Sequence, residues 1–156
     1  MEKIYQDLKT IVDNFYQKYE DLSDEITSKS PGNNEWNLKE IIGHLIDSAC
    51  HNHQRFVRLR IIDELVFPDY GQDNSRWIQI AGYNQMKFQD ILSLWRQYNL
   101  VIANIIKGVD SSKLDNYWLL NGERITLKFL MTDYLRHIGD HLNQFEKTLK
   151  EVSGGP

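Results

Sequence analysis

The sequence predicts an all-α domain, a four-helix bundle, and three observations carry that reading. Apolar residues recur three and four apart over four long stretches. The prolines fall only at Pro31, Pro68 and Pro156, so those stretches lack a residue that costs a helix interior about 3 kcal/mol. A chain of 156 residues, 41% of them hydrophobic, supplies one core that buries roughly 68–70% of the unfolded surface. Long amphipathic helices of this kind pack as bundles.

The first helix is expected over about Glu2–Thr27, with Ile4, Leu8, Ile11, Val12, Phe15 and Tyr19 as its stripe. The second follows Pro31-Gly32-Asn33-Asn34. Asn37 is its N-cap, and Glu40 three residues on completes a capping-box pattern. Its apolar set is Leu38, Ile41, Ile42, Leu45, Ile46, Ala49, Phe56 and Leu59. From about Asp63 to Gly82 the periodicity fails and turn residues gather at 68–74, which reads as a long link, possible as a crossover and functional at that length. A third helix covers about Tyr83–Ile106 and stops at Gly108. Asn121-Gly122 between apolar residues reads as a short hairpin-like turn over Tyr117–Ile125. Thr126 then caps the fourth helix, striped by Leu127, Leu130, Met131, Tyr134, Ile138, Leu142, Phe145 and Leu149. Residues 1–152 form a single domain in this reading, and 153–156 are a fraying tail.

Composition narrows the function. Twenty-two acidic against eighteen basic residues give a net charge of -4, which argues against nucleic acid as a partner. No apolar run approaches the ~18 residues of a membrane span, and the first residues show no signal-peptide stretch. The lone cysteine, Cys50, excludes an internal disulfide and reads as an inert core residue of a cytoplasmic protein.

The histidines are the informative residues. His137 and His141 are four apart, so one helical turn puts both rings on one side. Projected at 100° per residue, His141 falls roughly 50° and His137 roughly 90° from the centre of the fourth helix's stripe. His44 falls roughly 115° from the second helix's stripe, on a flank shared with Asn37, Ser48, His51 and Arg55. Either feature alone has a bland explanation in a chance pair or a satisfied histidine. Together they let two helices turn histidine-bearing flanks toward one cavity. Three imidazoles with a position left open make a catalytic divalent-metal site, suited to zinc, nickel, iron or manganese. Neither the Glu-x-x-His pairs of di-iron bundles nor a His-Glu-x-x-His protease signature is present.

Trp36-Asn-Leu-Lys-Glu-Ile-Ile-Gly-His44-Leu-Ile-Asp47, the Arg55-Phe56 that follows, and His137-x-x-x-His141-Leu-Asn-Gln144 resemble the DinB-like family, which includes YfiT-type metal proteins. The resemblance covers essentially the whole chain. It implies a divalent metal on His44, His137 and His141, and a small-molecule substrate. It implies first a thiol-dependent transferase or isomerase with a low-molecular-weight thiol as cosubstrate. A metal-dependent hydrolase is the enzymatic alternative, and a non-enzymatic metal-binding, stress-associated bundle is the third class. Many relatives carry two adjacent histidines where this chain reads Asp140-His141, which leaves the fourth coordination position open.

Around that triad, Asp47, Asp133 and Asp140 are candidate partners for the ligands' free N–H groups, and His51 a candidate fourth ligand or proton shuttle. Arg55 is a candidate grip for a substrate carboxylate. Tyr83 and Asn84 are expected at the cavity mouth, with Trp77 and Tyr70 covering it. Trp36, Trp95 and Trp118 read as packing residues. The family's habit of pairing, with Trp95 and the aromatic link as surplus apolar surface, makes a homodimer the expectation.

Overall fold

The computed structural model describes residues 1–32, 34–67 and 73–154. Tyr70 and most of the turn-rich run at 68–74 lie outside them. The order is α1 (Glu2–Tyr19), α2 (Asp24–Thr27), α3 (Leu38–Leu59), β1 (Glu64–Leu65), α4 (Asn74–Ala81), α5 (Phe88–Lys107), β2 (Tyr117–Leu120), β3 (Glu123–Thr126) and α6 (Leu127–Val152). Helices α1, α3, α5 and α6 are the bundle. Around it α1 packs on α5, α5 on α3, α3 on α6 and α6 on α1. Chain neighbours α1 and α3 therefore sit on one diagonal, and α5 and α6 on the other. The link after α3 returns the length of the bundle, because Lys39 at the start of α3 meets Met86 before α5 and Arg60 at its end meets Gly108, so α3 and α5 run parallel and the link is a crossover. The diagonal steps are taken by the α2 segment and by the β2–β3 hairpin.

Three elements depart from the sequence reading. The first helix stops at Tyr19, and Ser23 caps a separate four-residue α2, its Oγ accepting from Ile26 N. That break serves α5. Asp24 accepts from the amide of Phe88 at 2.8 Å, and Lys87, the N-cap of α5, supplies no side-chain cap. Lys39, 3% exposed, completes the clasp by donating to Met86 O and pairing with Asp24. The third helix therefore begins at Phe88, and Tyr83–Gln85 is a 3₁₀ turn before it. The long link holds a helix, α4, capped by Asp73 at its start and ended by Gly82 at φ 71°.

The capping box of α3 is present, with Glu40 N donating to Asn37 Oδ1 and Asn37 N to Glu40 Oε2. Asn121 and Gly122 take φ 51° and 86°, as a type I′ turn requires. The hairpin gains a third strand, because β1 pairs in parallel with β2, Leu65 opposite Trp118. The core is knit by edge-on aromatics, Phe15 lying 5.4 Å from Trp95 and 4.9 Å from Phe145. Trp95 is wholly buried there and offers no surface to a second copy. Cys50 is exposed, contrary to its reading as a core residue. No helix among the described residues is long and apolar enough to cross a membrane.

Candidate metal centre

Packing of α3 on α6 brings the three histidines together. Each of His44, His137 and His141 offers a ring nitrogen, and these all lie within 4.8 Å of one another. The Nε2 atoms of His44 and His137 are 3.3 Å apart. Two imidazoles on a tetrahedral ion at 2.0–2.1 Å sit about 3.3 Å apart, so this pair is already at ligating distance. The widest pair needs to close by up to about 1.5 Å, within the reach of small ring rotations. Burial, then the neighbouring rings, pushes His44 down to about 3, and the same causes push His137 down to about 4. Both rings are neutral at pH 7, with lone pairs available for a cation.

The ring orientations follow from neighbours one turn away. His141 Nδ1 lies 2.8 Å from Gln144 Oε1, which accepts only if that nitrogen carries the proton, leaving Nε2 as the ligating atom. His137 Nδ1 stands 3.4 Å from Ser48 Oγ, a weaker version of the same arrangement. His44 Nδ1 is buried with no hydrogen-bond partner among the described residues. Trp36, held just before the capping box, lies across the opening with ring centres 5.1 Å from His44 and 6.3 Å from His141. Its Nε1 donates to Ser75 Oγ at the start of α4. Trp36 and α6 together explain why His44 is only 5% exposed despite its place well off the apolar stripe.

The other sequence candidates are distributed differently. Asp47 accepts from Tyr83 Oη at 2.7 Å instead of from His44. Asp133 and Asp140 both pair with Arg136 on the outside of α6, instead of with a ligand imidazole. His51 packs on Trp77 with the rings tilted and their centres 4.9 Å apart, and it lies two helical turns, about 10 Å, from His44 along α3, too far to share an ion. Tyr83 is buried, its ring packed close against α3 at Gly43. Asn84 joins the capping box, donating to Glu40 and accepting from Asn37. Neither residue stands at the mouth of the histidine cavity. Trp77 lines a separate apolar cavity with Asp47, Ile80 and Ala81. Arg55 does reach the site, lining a cavity of 270 Å³ together with His137.

Sequence reasoning missed Gln144 and Ser48 as orienting partners and Trp36 as a wall. The spacing held a signal for two of them, since Gln144 follows His141 by three residues and Ser48 follows His44 by four. Trp36 precedes its helix, where helical projection assigns no direction. Two separate cavities abut the triad. One of 380 Å³ reaches His141 and is walled by Trp36, Gln144, Lys147 and Glu35, and the other is the 270 Å³ cavity at His137.

No protein-family model matches the sequence, and no curated protein matches it significantly. Among solved structures, the chain resembles YfiT from Bacillus subtilis, described as a probable metal-dependent hydrolase with an unusual four-helix bundle topology. The TM-score is 0.83 over 99% of this chain and 88% of that one, at 17% identity. The likeness is one of fold, and the resemblance to DinB-like, YfiT-type bundles holds at that level.

Proposed function

We propose that the chain is a divalent-metal-dependent enzyme, a hydrolase in the first reading, with the cation held by His44, His137 and His141. The observation that carries this is the convergence of three inward-facing rings, two of them held neutral and spaced for a tetrahedral ion. Bound there, a divalent cation supplies Lewis acidity and brings the pKa of a ligated water or thiol toward neutrality. The chain's own part is positional. Gln144 and Ser48 take the outer ring protons, and Trp36 shields one side of the site from water. The fold shared with a probable metal-dependent hydrolase supports the hydrolytic reading.

A thiol-dependent transfer is the second reading. Two cavities touching different histidines suit a reaction with two substrates, a low-molecular-weight thiol and an electrophile. Metal analysis of protein purified without chelators tests the common premise, with one divalent ion per chain expected. His44→Ala and His137→Ala should each abolish it; full retention by both removes the site. Turnover of activated esters and amides without added thiol identifies the hydrolase. A sulfur-to-cobalt charge-transfer band on thiol addition, with turnover of thiol-reactive electrophiles, identifies the transferase.

A further inference from the structure

A cavity of 510 Å³ opens between α3 and α4, and none of the three histidines lines it. Helix α4 sends Ile78 into the core and leaves Trp77, Ile80 and Ala81, three and four residues apart, along the cavity. Ile80 is 77% exposed and Trp77 38%, although Trp77 packs against His51 on one side. Asp47 of α3 brings the one charge to this lining among the described residues. Its Oδ1 accepts from Tyr83 Oη at 2.7 Å, while Oδ2 is buried with no partner among the described residues. Burial holds the carboxyl above the usual carboxylate range, and Tyr83 and then His51 offset only part of that. The carboxylate is therefore held by a neutral donor, and no cationic side chain among the described residues lines the cavity with it.

From this arrangement we infer that the cavity between α3 and α4 binds a small organic cation, a primary ammonium on a compact apolar body, with Asp47 as its counter-ion. The ammonium supplies both the charge and the N–H donors that the carboxylate lacks, in a pair stronger than a neutral hydrogen bond. Trp77, Ile80 and Ala81 give the body an apolar surface, and the indole adds cation–π attraction for a charge drawn close to it. The volume falls within the about 300–1,000 Å³ of small-molecule sites. A hydrated inorganic cation is a poor match, because one carboxylate among apolar walls does not replace its shell of oxygen ligands. An anion meets only the repulsion of Asp47. This is a second binding site, and it does not depend on the metal centre.

Phenethylammonium and its neutral counterpart phenethyl alcohol are the probes, titrated into the full chain as purified and after removal of metal. The Trp77 indole N–H, assigned through Trp77→Phe, is followed by NMR. The ammonium should shift that resonance and bind at least about tenfold more tightly than the alcohol, as a charge-assisted pair contributes, with or without metal. Asp47→Asn should bring the two affinities together. Ile80→Lys changes an exposed residue, so the fold survives even where Asp47→Asn does not. It puts a like charge in the cavity wall and should weaken the ammonium several-fold. Equal binding of the two probes, no shift with the ammonium, or a preference confined to metal-loaded protein overturns the inference. So does an unchanged preference in folded Asp47→Asn, or undiminished ammonium binding by Ile80→Lys.

Discussion

Gly43 is the position where the smallest side chain is expected to do most damage. A Cβ at this position would stand 2.2 Å from Tyr83 Cδ2, 2.6 Å from Cγ and 2.7 Å from Cε2. Reaching ordinary contact near 3.4 Å moves the ring by roughly 1.2 Å. Tyr83 is 7% exposed and donates to Asp47 at 2.7 Å, so the same shift stretches that bond beyond hydrogen-bonding range. Asp47 is already short of partners, since its Oδ2 is buried with none among the described residues. Overpacking costs about 1–3 kcal/mol and loss of a bond to a buried carboxylate about 1.5–3 kcal/mol, against about 1 kcal/mol gained from alanine's helix propensity. Gly43→Ala should therefore destabilise by about 2–4 kcal/mol. Gly139 lies in α6 with nothing within 4 Å of the point a Cβ would occupy, so Gly139→Ala keeps only the gain and should stabilise by about 1 kcal/mol. Urea unfolding of both variants, metal-stripped, measures the pair. A Gly43→Ala protein as stable as the parent would refute the close packing of Tyr83 on α3.

Three further outcomes follow from the site. Metal-free protein should lose stability as pH falls below about 6.5, because the unfolded histidines take up protons there while His44 and His137, held to about 3 and about 4, do not. The slope is at most about 1.4 kcal/mol per pH unit for each, less for His137, which is not fully buried, and a urea midpoint unchanged between pH 7 and 5 would contradict it. Gln144→Leu should weaken metal affinity by about 10–100-fold, whereas Asp140→Asn, whose carboxylate serves Arg136, should leave it unchanged; competition with a chromophoric chelator measures both. Cobalt or nickel should quench tryptophan emission mainly through Trp36, and a quench undiminished in Trp36→Phe would place the ion elsewhere.

What was legible in the sequence is what short range determines. The capping box at Asn37, the Asn121-Gly122 turn and the Thr126 cap are local hydrogen-bonding patterns, and all three are present. So are the stripes of the first, second and fourth predicted helices, whose residues are buried or packed against the core, because helical periodicity reports burial directly. The break after Tyr19 was not legible, because its reason lies in Asp24 reaching Phe88 and Lys39 far along the chain. Helix α4 escaped notice despite its Asp73 cap and Gly82 stop, because eight residues barely exceed two turns and turn-forming residues crowd its start. The acidic partners assigned to the histidines failed for a related reason. Reach along a helix is necessary for a hydrogen bond, but Tyr83 and Arg136 offered Asp47, Asp133 and Asp140 better partners.

The histidine triad itself depends on a property that no single helix displays. Projection places His44 on a flank of α3 and His137 and His141 on a flank of α6, and flanks can meet only if those helices are neighbours. In a simple up-and-down bundle, chain order is also ring order, so the second and fourth helices face each other across the core. His44, off the apolar stripe, would then point to solvent far from the other two. Here α1 and α3 occupy one diagonal, and α3 lies beside α6. The diagonal steps need connections long enough to cross the end of the bundle, and the chain makes them with α2 and its loop on one side and the three-stranded sheet on the other. Each of these connections also supports an element of the site's frame. The segment after α2 ends in Trp36 over His44, and the sheet seats Trp118 under Arg55. The unusual helix order is therefore what brings the two histidine flanks together, and its connections supply walls to the cavities beside them.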